Sequence, residues 1–245
     1  GLQHQDGHSH VLASTVPTCR AYDPAFAYEM ALVVRDGIDA MYGRGEDVFY
    51  YLTLYNENYE MPPMTDGDDR ARVEAGVIEG LYRWQAAPDA THRATVLFSG
   101  TAWSAAVEAR DLLAEHWDVG VDLWSATSYK ALREEALEAE RTNRLHPSTE
   151  PRIPRVAQLL GDGGGPVVAV SDFVRAVPDQ IARWVDVARH RRLRPLRHTG
   201  GAAAPLRDRR TPRRGGRAGR TRRRRHAPGL GGRRGGGPLR PRPRC

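Results

Sequence analysis

From Asp23 to Val185 the chain switches its apolar period repeatedly, between the spacing of a helix and short β-branched runs. "DPAFAYEMALVVRDGIDAMYG" predicts a helix, with Asp23 as N-cap, Pro24 at the first helical position and Gly43 as the stop. Phe26, Met30, Val33, Ile38 and Met41 would form its apolar stripe. "DVFYYLTLY" predicts a strand. After a polar loop with Pro62 and Pro63, "RARVEAGVIEGLYRW" predicts a second helix. "ATVLFSG" then predicts a strand. "TAWSAAVEARDLLAEHW" predicts a helix carrying Trp103, Val107, Leu113 and Trp117 near one face. "VGVDLWSA" is a further strand, Ser128 caps the helix "YKALREEALEAER", "PVVAVS" is a strand, and "VPDQIARWV" starts a helix. Such alternation predicts an α/β fold whose mostly parallel sheet is covered on both faces.

At Asp186 the rhythm stops. Residues 186–245 contain 21 Arg, no Lys and two acids, while the preceding 185 residues carry a net charge of −12. The basic balance of the whole chain, +7, therefore comes entirely from its last quarter. A segment of Arg, Gly, Pro and Ala with few large apolar residues cannot bury enough surface to offset its ordering entropy, and disorder is expected there. The two cysteines, Cys19 and Cys245, make a disulfide framework implausible and point to a reducing, cytoplasmic setting. No apolar run is long enough for a membrane span, and the start lacks the order of a secretory signal.

Four stretches could carry chemistry. "GLQHQDGHSH" holds His4, His8 and His10. His4 and His8 would share a face in a helix, and His8 and His10 in a strand, but "DGHS" is turn chemistry and no metal is assigned. "LLGDGGGP" (159–166) contains Gly-Asp-Gly, the opening of a diphosphate-and-magnesium motif, yet no Asn follows to complete the ligands, so it is taken as a loop without a cofactor role. "REEALEAER" (133–141) predicts a solvated helix face with i,i+4 ion pairs. The Arg-rich tail could hold nucleic acid non-specifically, by counterion release.

"GLQHQDGHSH", "YDPAFAYE", "YGRGEDVFYYLTLYNENYEMPPM" and "LHPSTEPRIPRVAQLL", in this order, closely resemble the bacterial homodimeric pyruvate dehydrogenase first component. That family is transketolase-like and uses thiamine diphosphate with Mg²⁺. The resemblance implies that residues 1–64 are the C-terminal part of a pyrimidine-binding domain. Residues 65–185 would be a truncated transketolase-like C-terminal domain, and 186–245 a disordered tail. It implies that His4 contacts the substrate-derived intermediate, as a hydrogen-bond donor that can change protonation near neutral pH. It also implies pyruvate as substrate, a homodimer, and the dihydrolipoamide acetyltransferase core as partner. The glutamate that activates the cofactor and the Mg²⁺-diphosphate motif lie upstream in the family and have no counterpart in these 245 residues. The chain alone is therefore expected to be inactive. A non-catalytic α/β dimerisation or binding module is the alternative.

The family continues beyond position 185 into a glycine-rich turn. Displacing the reading frame of "DVARHRRLRPLRHTG" by one base permits "TSLGTDGFGRSDTR", which is such a turn, and "GGAAAPLRDRR" permits the helix-like "EALRRHFEID". Residues 186–245 are therefore expected to be translated out of frame from GC-rich coding sequence. Loss of the final helix and strand would leave a sheet edge unpaired.

Overall fold

The computed structural model describes residues 5–56, 58–64, 69–161 and 164–185. The expectations placed on His4, on the 65–68 part of the boundary loop, on Asp162 and on the tail lie outside these residues.

A short helix α1 (Ser9–Ala13) leads into β1 (Cys19–Tyr22), α2 (Ala27–Ile38), a π-helical turn (Asp39–Gly43) and β2 (Phe49–Leu52). β1 and β2 pair in parallel, Cys19 opposite Phe49 and Tyr22 opposite Leu52. Next come α3 (Asp69–Glu79), β3 (Tyr82–Gln85), β4 (His92–Phe98), α4 (Trp103–Trp117), β5 (Val119–Ser125), α5 (Tyr129–Leu145), α6 (Arg155–Leu160) and β6 (Val167–Val170). The four later strands form one sheet in the order β3-β5-β4-β6. β4 pairs in parallel with β5 and β6, and β3 lies antiparallel along β5.

Alternation along β4 shows why this sheet is covered twice. Ala94, Val96 and Phe98 face the cluster with Ala102 and Ala106 of the α4 side, whereas Leu97 faces the cluster of Leu132, Val156 and Ile181. β6 repeats the pattern, with Val167 and Ala169 on the second side and Val170 on the first. Both faces are apolar, as a parallel sheet requires. A third cluster, with Tyr22, Leu32, Val33, Val73, Val77 and Tyr82, joins α2 and α3.

Several local expectations are corrected. α2 starts at Ala27, four residues after Asp23, because Asp23 is used elsewhere and Glu29 takes the capping amides. Its buried face is Glu29, Leu32, Val33 and Gly37, while Ile38 is 56% exposed. Ile38 lies five residues after Val33, which turns it away from that face. The helix placed over 70–84 ends at Glu79, where Gly80 adopts φ +97°, and the residues from Tyr82 turn into β3. Trp103, Val107 and Leu113 pack on the core, but Trp117 at the end of α4 is largely exposed. The segment 177–185 forms only a 3₁₀ turn, Pro178–Ile181. Ser128 caps α5 as expected, accepting from the Ala131 amide at 3.0 Å. The acidic run on α5 is only half solvated. Glu134 pairs with Lys130 at i,i+4, but Glu135 holds Arg152 and the Arg155 amide, and Glu140 holds Arg183 and Trp184.

Candidate functional site

The histidine loop is fastened at three points. The Asp6 carboxylate accepts from the His8 and Ser9 amides at 3.1 and 3.0 Å, and so shapes the turn into α1. The Gly7 carbonyl accepts from the Val174 amide at 2.6 Å, which ties the loop to the segment after β6. The third point is His10, whose ring is buried edge-on against Phe173 and Tyr51. Its Nε2 lies 3.2 Å from Thr53 Oγ1. His8 and His10 do not share a face: the first is exposed and the second buried.

Thr53 passes the connection to Asp23. Its hydroxyl donates to Asp23 Oδ1 at 2.6 Å, and Tyr55 donates to the same oxygen at 2.6 Å. A hydroxyl has one proton. Since that proton goes to the carboxylate, His10 Nε2 must be the donor toward Thr53. Burial pushes the His10 imidazole below its ordinary value, against the opposing pull of the Asp23 and Asp6 charges. Asp23 is thus an acceptor for a loop anchor rather than a helix cap. Its carbonyl also receives the Gly100 amide at 3.2 Å. Gly100 has φ +51°, and a Cβ there would strike the Tyr55 hydroxyl.

A second carboxylate is buried completely. Glu29 Oε2 accepts from the Ala25 and Phe26 amides at 2.6 and 3.2 Å, and Oε1 from Tyr82 and Ser125 at 2.6 Å each. Burial raises its proton affinity, although all four donors work to lower it. Glu29 was not singled out as functional in the sequence. Its only signal there is an acid in phase with the apolar face of α2.

Comparisons with known proteins fit this architecture. A family model for the pyruvate dehydrogenase E1 component middle domain matches residues 1–62, and one for the transketolase-like C-terminal domain matches residues 80–192. The chain is 48% identical over 187 residues to a pyruvate dehydrogenase E1 component from Mycolicibacterium smegmatis, covering 76% of this chain and 20% of that protein. Its identity to the proteins of that name from Pseudomonas aeruginosa and Escherichia coli K12 is 44% and 40% over 186 residues, with the same coverage. Among solved structures, transketolase from Leishmania mexicana superposes with a TM-score of 0.52 at 18% identity, covering 84% of this chain and 24% of that one. The fold is that of a transketolase-like α/β protein. Within that class, the matched residues are similar to the pyruvate dehydrogenase E1 component. The chain spans about a fifth of the length of the relatives it matches.

Among the described residues, no group of three or more His, Cys, Asp or Glu side chains is placed to hold a metal ion. Glu29, the fully buried carboxylate, already has four donors and cannot also receive a proton from a cofactor ring. No catalytic step is assigned to the described residues. No described helix is long and apolar enough to cross a membrane.

Proposed function

We propose that this chain is a segment of a cytoplasmic pyruvate dehydrogenase that decarboxylates pyruvate on thiamine diphosphate and reductively acetylates lipoyl groups on the acetyltransferase core. In this reading residues 1–64 complete a pyrimidine-binding domain, 65–185 form the C-terminal domain, and His4 contacts the substrate-derived intermediate within a homodimer. The observation that carries it is the occurrence, in family order on one chain, of a middle-domain match and a C-terminal-domain match. The geometry supports it through the His10–Thr53–Asp23 connection, which fixes the loop that begins a few residues after His4. The cofactor-holding residues are supplied by sequence outside these 245 residues, so the chain alone is inactive.

The coding DNA tests both parts. In-frame upstream sequence encoding the rest of an E1 component supports the proposal, and so does a hidden glycine-rich turn in the shifted frame after codon 185. An unrelated upstream gene, with an intact frame lacking that turn, overturns it.

A further inference from the structure

The edge of the four-stranded sheet carries a concave site, separate from the His10 network. Its floor is apolar, made by Leu81, Trp124 and Leu159, and three guanidinium groups wall it: Arg72 from α3, Arg83 from β3 and Arg155 from the start of α6. The cavity measures about 310 Å³, at the small end of the range for ligand pockets. Arg83 and Trp124 are direct cross-strand partners of the antiparallel β3–β5 pair, so they stand side by side on one face. Trp124 lies at the carboxyl end of β5, the end of an α/β sheet at which ligands are usually held.

The guanidinium groups are not used up by their neighbours. The carboxylate nearest Arg83 is Asp122 at 3.8 Å, too far for a hydrogen bond. Arg155 holds Glu79 through one terminal nitrogen at 2.5 Å, but its Nε is buried with no partner among the described residues. Arg72 bonds Asp69 through Nε at 3.1 Å. Among the described residues lining the cleft, one acid, Asp69, stands with three Arg. Each of the three guanidinium groups has one carboxylate beside it, Asp69, Asp122 or Glu79, and keeps further N–H donors. Forked guanidinium donors match phosphate oxygens, and an indole beside aliphatic side chains matches a flat ring.

We infer that this cleft binds a small organic phosphate with a flat, largely apolar ring, the phosphate on Arg83 and Arg155 and the ring against Trp124 and Leu159. No metal is needed, and the inference stands apart from the function proposed for the His4 loop.

The test is calorimetric titration of the full chain with adenosine monophosphate in the presence of EDTA, with inorganic phosphate and adenosine as separate arms. The nucleotide is expected to bind one per chain and about tenfold more tightly than either half alone. Arg83→Ala and Arg72→Ala, whose side chains are half exposed, should keep the circular dichroism spectrum. Arg83→Ala should lose about tenfold in affinity, and Arg72→Ala should lose less. Absence of binding overturns the inference, as does inorganic phosphate binding as well as the nucleotide. Unchanged affinity in both variants overturns it too, because the Arg-rich tail would then be holding the phosphate.

Discussion

Tyr82 donates to Glu29 Oε1 at 2.6 Å, joining α2 to β3 across 53 positions of sequence. Ser125 of β5 donates to the same oxygen, so one buried carboxylate gathers three elements. Replacing Glu29 with Ala strands two backbone amides and two hydroxyls. The expected cost is about 3 kcal/mol or more, read as a shift in the denaturant midpoint. Glu29→Gln keeps the shape, and the hydroxyls can rotate to accept from its amide, so about 1–2 kcal/mol is expected.

The same residue sets a pH dependence. Burial raises the folded-state pKa of Glu29 above its ordinary 4.5. Its contribution is fully present below the unfolded value and is lost as pH rises through the folded one. The stability gap between the wild type and Glu29→Gln should therefore be widest in acid and narrow toward neutrality. A gap that widens with rising pH contradicts this assignment.

His10 acts with the opposite sign. Burial depresses its folded-state pKa below 6.5, so its contribution is present above that value and is lost as pH falls through the folded pKa. His10→Gln retains a donor for Thr53 without titrating. Melts between pH 7.5 and 5.5 should show the wild type losing more stability than this variant. By NMR the His10 ring should resist protonation below the ordinary histidine midpoint.

Much of the sheet could be read from the sequence, because β4, β5 and β6 are dense in β-branched residues and Leu, and each is followed by a helix or turn signal. β1 and β3 were hidden for physical reasons. Each is four residues long, and "LYRW" continues the apolar content of α3 past Gly80, the residue at which that helix ends. Asp23 beside Pro24 has the chemistry of a helix start, and only tertiary structure shows it bound by Thr53 and Tyr55. The sequence places three histidines close together. Which of them is buried depends on Phe173, 163 residues after His10, and no local pattern carries that information.

Gly100 tests the packing around Asp23 from the other side. A side chain there is strained by the positive φ and collides with Tyr55, whose hydroxyl binds Asp23. Gly100→Ala should cost about 2 kcal/mol or more, and it should raise hydrogen exchange at the Val174 amide if the loop loosens with it. A variant as stable as the wild type would show that Tyr55 moves freely and does not brace the network.

We propose that these 245 residues are a segment of a thiamine-dependent enzyme and do not themselves hold its cofactor. Calorimetric titration of the purified chain with thiamine diphosphate, with and without Mg²⁺, tests it most directly. The account predicts no Mg²⁺-dependent binding. Tight binding that appears with Mg²⁺ and vanishes with EDTA would contradict it.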